Sequence, residues 1–308
     1  MKKIYWRVMG GLGNQLFQYA FLYALIQREN AHPKIKSYMC HDKHEDERQF
    51  ALSPFNVSLK LNVKEEKVTA NYYCFLLYKR KLLKMYAPSG LSDCEETKRM
   101  IKHGIYHFKD YKSFEINDIH PKRNSLLIES YFLSYKYFDE YRENFKREFS
   151  ISVPPSPKAE KLLAEISSCN SVCLHIRMGD YNKKVYSFLK ICDYDYYKKG
   201  MEYISSKIDN PVFYVFSNGH KDIEWIKQNY DFSGYTVKYV DINNPDYEDL
   251  RLMIACKHFV ISNSTYSWWA QYLCDNKNKI VVAPSKWDRN AQEKSPLIMP
   301  EFKIIDVK

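Results

Sequence analysis

The chain of 308 residues holds eight cysteines but no Cys-x-x-Cys pair. Cys169 and Cys173 are four apart, and no second metal-ligand pair accompanies them. That absence excludes zinc ribbons and dithiol redox motifs. No apolar run approaches membrane-spanning length, and the N-terminus lacks a secretory apolar region, reading instead as a core strand. Reduced cytoplasmic thiols are therefore expected, and the sequons at Asn56 and Asn263 are expected to stay unused. No arginine-rich run, RNA-binding signature or zinc finger is present, so a nucleic-acid partner is not expected. No Ser-His-Asp arrangement carries a defining local signature. There is no internal repeat and no low-complexity tract.

What remains is an ordinary globular composition, 45% hydrophobic and 27% charged, long enough for one or two domains. Tyrosine is abundant at 27 residues, beside 17 Phe and 5 Trp. Such side chains suit carbohydrate and also fill cores. The net charge of +10 fits a phosphorylated ligand or an anionic bilayer. Clusters such as Lys79-Arg80-Lys81 and Lys183-Lys184 are commonly solvated faces.

The most informative stretch is GGLGNQLFQYAFLYAL, residues 10–25. It follows a strand pattern at Ile4–Met9 and opens a helix pattern at Asn14–Arg28. Glycine-rich turns that open helices are anion sites, because backbone N–H groups face outward at the positive end of the helix dipole. A nucleotide-hydrolase loop needs Gly-Lys-Ser/Thr, but Asn14 and Gln15 follow Gly13. A dinucleotide fingerprint needs a third small residue, and Leu16 stands there. The turn is thus either a phosphate cradle, with Gly11, Gly13, Asn14 and Gln15 at the ligand, or a plain tight turn.

Strand-like runs at Val172–Arg177, Val212–Ser217, Thr236–Asp241, His258–Ser262 and Lys279–Pro284 alternate with helical segments. These are Tyr194–Lys207, Lys221–Tyr230, Tyr247–Cys256 and Ser264–Cys274. The rhythm predicts a doubly wound parallel sheet with ligands beyond the carboxyl ends of its strands. In the first half, 40–120 reads as charged, aromatic and irregular, followed by a strand at Leu126–Tyr131 and a helix at Tyr135–Phe149. The prolines of Ser152–Pro157 mark a linker, giving domains 1–153 and 154–308.

His175 and Arg177 alternate onto one side of their strand, with Arg177 at its carboxyl end. A guanidinium there clamps a pyrophosphate or pairs with Asp180. Asn263, Ser264 and Thr265 form a second cradle or a plain N-cap. Asp249 either caps its helix or accepts two N–H bonds from a guanine edge. Asp193-Tyr-Asp195 has the DxD form of a metal motif, but its place before a helix favours capping. The run 41–47 is metal-like in composition and reads as a solvated loop. Trp268 and Trp269 read as core.

Together these segments resemble the bacterial α-1,2-fucosyltransferases of glycosyltransferase family 11. The likeness runs collinearly through GGLGNQLFQYAF (10–21), LIESYFLSYKYF (127–138), HIRMGDY (175–181) and FYVFSNGHKDIEW (213–225). It continues through DLRLMIACKHFVISNSTYSWWAQYL (249–273) and VVAPSKW (281–287) and is weakest at 60–120. The resemblance implies an α/β, GT-B-like fold of two Rossmann-like domains facing across a cleft. The N-terminal one would be on the acceptor side, and the C-terminal one would bind the donor. It implies inverting, metal-independent transfer of fucose from GDP-β-L-fucose to the 2-hydroxyl of a terminal β-galactoside, free or lipid-linked, in surface glycan synthesis. No cofactor is expected, and peripheral contact with the inner membrane face is. By the same likeness Arg177 binds the pyrophosphate, His175 lies in the donor site and Asp249 reads guanine. Gly11 to Gln15, Ser264 and Thr265 would close on the diphosphate, and Asp180 is a catalytic candidate. Met178 stands where many relatives carry a second Arg, and Asn218-Gly219 where an acidic pair is frequent. Asn218 is counted with the donor loop. The alternatives are a transferase for another sugar nucleotide and a non-catalytic sugar-nucleotide binder.

Overall fold

The computed structural model describes residues 3–39, 49–64, 71–108, 124–179, 184–241, 243–290 and 294–307. The chain divides into two compact units, Met1–Ser150 and Ile151–Lys308. The division falls just before the proline-rich stretch. Ser156 there caps a helix, with Pro157 at its first position.

In the first unit a parallel sheet has the order β3-β2-β1-β5-β4. Its strands are β1 (Lys3–Val8), β2 (Lys34–Met39), β3 (Asn62–Lys64), β4 (Ile105–Tyr106) and β5 (Ser125–Ile128). Helix α1 (Leu12–Arg28) follows β1 and is buried along most of its length. A helix apolar all round belongs inside a core. Its aromatic residues meet others from 132–149: Phe21 stacks on Phe132 at 3.8 Å, and Phe17 meets Phe138 edge-on. Much of the aromatic richness thus builds this core.

The expected irregularity of 40–120 is corrected for its described part. It contains β3, β4, α2 (Asn71–Met85) and α3 (Asp93–Lys102). Helix α2 hid because it is apolar on two sides, one facing the core and one facing solvent, so no single stripe stands out. Helix α3 carries a readable capping box, Ser92 with Glu95. The expected helix at 135–149 is short helical turns followed by α4 (Arg142–Glu148).

The second unit holds a six-stranded parallel sheet of order β11-β10-β9-β6-β7-β8. The strands are β6 (Asn170–His175), β7 (Pro211–Phe216), β8 (Thr236–Tyr239), β9 (His258–Val260), β10 (Val281–Pro284) and β11 (Lys303–Ile305). Helices α5 (Pro157–Ser168), α6 (Tyr194–Ser205), α7 (His220–Asn229), α8 (Asp246–Ala255) and α9 (Thr265–Leu273) intervene. Helix α5 and the three-residue strand β11 had no counterpart in the sequence reading. One core layer joins Val172, Leu174 and Ile176 to Tyr197, Met201 and Ile204 of α6 and to Ile223 and Ile226 of α7. Trp268 and Trp269 are fully buried. The strand order reverses between β6 and β9, so loops part there and leave room for a ligand.

Candidate donor site at the sheet switch point

Strand β6 ends at His175, two residues short of the predicted strand, and Arg177 lies in the loop beyond it. The turn after β7 holds that loop. Ser217 Oγ donates to the Ile176 carbonyl at 2.7 Å. Met178 N–H donates to Asn218 Oδ1 at 3.3 Å, and Gly179 N–H to Asp222 Oδ2 at 2.9 Å. Gly179 has φ +39°, and a Cβ there would stand 2.7 Å from Asn218 Cγ. Only glycine fits that approach. Asn218 and Asp222 therefore position the segment carrying Arg177. Asp180 lies outside the described residues.

Across the switch point, β9 leads to Ser262, Asn263 and the N-terminus of α9. Ser262 Oγ lies 2.9 Å from His175 Nδ1. The His175 ring also meets that of Tyr266 at 5.9 Å. Burial, and secondarily the charge of Arg177, push the His175 pKa down to about 3. The imidazole is therefore neutral at physiological pH. Ser264 is the N-cap of α9, its hydroxyl accepting from Tyr266 N–H at 3.3 Å, and Thr265 begins the helix. Tyr266 OH donates to the Asp246 carbonyl, which ties the starts of α8 and α9 together.

Asp249 is not a helix cap, since Pro245 occupies that position. Asn244 Nδ2 donates to Asp249 Oδ1 at 2.8 Å. Burial raises the Asp249 pKa to about 6, with Asp246 and Glu248 adding to the rise. Burial and the neighbouring carboxylates of Asp249 and Asp246 also hold the Tyr266 hydroxyl well above its ordinary value, while Arg177 pulls it the other way. One aromatic side chain thus senses both charges the sequence singled out.

In the first unit, Gly10 takes φ +71°, where a Cβ would meet Asn14 Nδ2 at 2.6 Å. Gly11 is the N-cap of α1 and offers no side-chain oxygen; Gly13 lies in the first turn. The Gln15 amide is committed to the protein. Its Nε2 donates to the carbonyls of Gly10 and Gln49, each at 2.9 Å, and its Oε1 accepts from Ala51 N–H. Asn263 is committed likewise, donating to the carbonyls of Leu189 and Trp287. Among the expected ligand contacts, the amides of Gln15, Asn218 and Asn263 build loops.

The first turns of α1, α2 and α9 carry no acidic residue. Those of α3, α5, α6, α7 and α8 all do. Acids normally offset the positive end of the dipole. Helices α1 and α9, which follow β1 and β9, therefore carry no acid that offsets this end.

Asp193 caps α6, accepting from Tyr196 N–H at 3.0 Å, which accounts for the DxD. The metal-like run 41–47 lies outside the described residues. Among the described residues, His220, Glu224 and Asp241 have ligand atoms within 4.8 Å of one another. Sequence reasoning missed Ser262, Tyr266 and Asn244 as partners of the site. It also missed Glu129, a buried carboxylate after β5 that pairs with Arg7 at 2.5 Å and with Arg80. LIESYF contained Glu129, but nothing local announced two distant arginines.

The sequence profile of the family described as Glycosyl transferase family 11 matches residues 3–304. The O-antigen biosynthesis glycosyltransferase WbnK of Escherichia coli is 30% identical over 295 residues, 90% of this chain and 92% of that protein. An alpha-1,2-colitosyltransferase of Escherichia coli is 29% identical over 293 residues, 91% of each chain. The human galactoside alpha-(1,2)-fucosyltransferase 1 is 27% identical over 175 residues, 53% of this chain and 47% of that one. The solved structure of POFUT1 in complex with GDP-fucose aligns with TM-score 0.52 and 12% identity, over 90% of this chain and 96% of that one. The fold expected from the sequence, α/β and GT-B-like with Rossmann-like domains, is the fold found.

Proposed function

The chain belongs to glycosyltransferase family 11, and from that premise we propose that it transfers L-fucose from GDP-β-L-fucose to the 2-hydroxyl of a terminal β-galactoside, with inversion, in surface glycan synthesis. The observation that carries the donor half is the switch point of the second unit. There the neutral His175 ring meets that of Tyr266 in the acid-free first turn of α9, and the charges of Arg177 and Asp249 both bear on the Tyr266 hydroxyl. Loss of the sugar puts negative charge on the departing diphosphate. The Arg177 guanidinium and the α9 N-terminus, with Ser264 and Thr265, are fixed donors for that charge and need little reorganisation as it develops. Asp249, ionised at neutral pH, accepts from N1–H and the exocyclic amine of guanine. His175 stays neutral and shapes the pocket through Ser262; its depressed pKa makes it a poor base. Asp180, three residues past Arg177, is the proposed carboxylate at the acceptor hydroxyl. The helix start at Gly11, Gly13 and Asn14 is the proposed anion contact of the first unit. No metal enters this scheme, since cationic and backbone groups meet the diphosphate charge.

The galactoside acceptor and the fucose donor rest on likeness to the α-1,2-fucosyltransferases. The colitosyltransferase relative supports a second reading, GDP-colitose as donor. Colitose is L-fucose without its 3-hydroxyl, so a site that hydrogen-bonds that hydroxyl separates the two. The test is an acceptor screen with each donor, GDP release as readout and product linkage by NMR. Transfer of fucose to the galactose 2-hydroxyl, undiminished in excess EDTA, is the expected result. Transfer from GDP-colitose alone selects the second reading, and donor binding without GDP release points to a non-catalytic binder.

A further inference from the structure

Helix α2 carries an exposed apolar stripe that the proposed reaction does not use. Phe75, Tyr78, Met85 and Tyr86 are 54%, 60%, 60% and 71% exposed. Elsewhere among the described residues, Val153 and Trp225 alone are exposed large hydrophobics. Phe75, Tyr78, Leu82, Met85 and Tyr86 recur at steps of three and four along α2 and just past its end, which sets them on one side of the helix. The opposite side packs inward, with Leu76 buried in the sheet's core layer and Leu83 against it.

Charge flanks the stripe on both sides. By helical spacing, Lys79 borders it on one edge and Lys81 on the other. Residues 71–86 contain Lys79, Arg80, Lys81 and Lys84 and no acidic residue. Arg80 turns inward to the buried Glu129. Lys79 donates to the His103 carbonyl, and Lys84 lies 3.3 Å from the His107 ring. Burial holds the His107 pKa down and keeps that ring uncharged at neutral pH. Neighbouring α3 adds exposed Lys98 and Lys102, while Arg99 donates to the carbonyls of Leu83 and Tyr86 at the end of α2. The acids of α3 gather in its own first turn.

We propose that the outward face of α2 docks on an anionic lipid bilayer. Phenylalanine, tyrosine and methionine suit the boundary between headgroups and acyl chains, and a basic rim suits anionic headgroups. A two-fold contact between copies of this chain would set the same positive rim against itself. A bilayer supplies the opposite charge instead. This inference concerns a surface of the first unit and stands whichever sugar is transferred.

The test is flotation of the full chain with vesicles of phosphatidylcholine alone and of phosphatidylcholine mixed with phosphatidylglycerol. Binding to the anionic vesicles only is expected, weakening from about 0.05 M to about 0.5 M salt. The Tyr78→Ser/Met85→Ser double variant should lose about tenfold or more in partitioning. Lys81→Glu should lose at least about fivefold, the scale of one lysine at such a surface. All these side chains face solvent, so folding should persist, which circular dichroism checks. Trp225→Ser, on α7, should bind as the unaltered chain does. Transfer to a soluble acceptor should be unchanged in every variant, so failure of docking and failure of the transferase reading give separate signals. The proposal is overturned by equal binding to both vesicle types. It is also overturned if the α2 variants bind normally, or if Tyr78→Ser abolishes a concentration-dependent dimer while no vesicle binding occurs.

Discussion

At the residue scale, the proposed donor site gives Arg177 and Asp249 distinct electrostatic tasks. On that proposal, Arg177→Ala would remove a charge-assisted donor from the departing diphosphate. It should lower kcat/KM by roughly 3 kcal/mol, about a hundredfold, in a folded protein, measured by GDP release. Turnover near that of the unaltered enzyme would remove Arg177 from the donor site. Asp249 sits at about pKa 6 because burial disfavours its charge. On the proposed reading its carboxylate form would accept from guanine, and the protonated form would lose that pairing. Affinity for GDP should therefore fall about tenfold as pH drops from 7 to 5. Asp249→Asn should flatten that dependence and erode the preference for GDP over ADP and UDP, read by calorimetry across pH. A flat profile in the unaltered protein would place guanine elsewhere.

At the element scale, Glu129 shows how far a local sequence reading reaches. It follows β5, and its carboxylate receives Arg7 from β1 and Arg80 from α2, with its side chain 1% exposed. Removing it leaves two cationic groups facing a partly buried site. Glu129→Ala should destabilise the first unit by about 3–5 kcal/mol, while Glu129→Gln keeps the shape and some hydrogen bonding and should cost less. Urea unfolding of both variants checks this, and a neutral Ala substitution would show the ion pairs contribute nothing. The helices α1, α6, α7 and α9 were legible because glycine turns, caps and one-sided apolar spacing are local signals. Helix α2 was not, since it is apolar towards both the core and solvent. Strand β11 was not, because three residues give too little alternation to read.

At the scale of the whole molecule, buried His175 links stability to pH. Above about pH 6.5 the ring is neutral in folded and unfolded chains alike, so it contributes no pH dependence. Below that, the unfolded chain takes up a proton that the folded state refuses until about pH 3. Stability of the second unit should therefore fall with falling pH across this window, by up to about 1.4 kcal/mol per pH unit from this group. Subtracting the profile of His175→Phe isolates the term, and coincident slopes would show that the ring titrates normally. The sequence by itself determined the alternation of strands and helices in the second half, the glycine turn at 10–13 and the capping role of Asp193. Each is encoded within a few residues by backbone freedom, capping chemistry or side-chain period. Only the tertiary structure decided that β9 lies beside β6, which brings Ser262 to His175 across 87 positions of sequence. It alone decided which amides build loops, how deeply Asp249 is buried and which side of α2 meets solvent. Those outcomes depend on strand order and on packing between distant segments, and no local period records either.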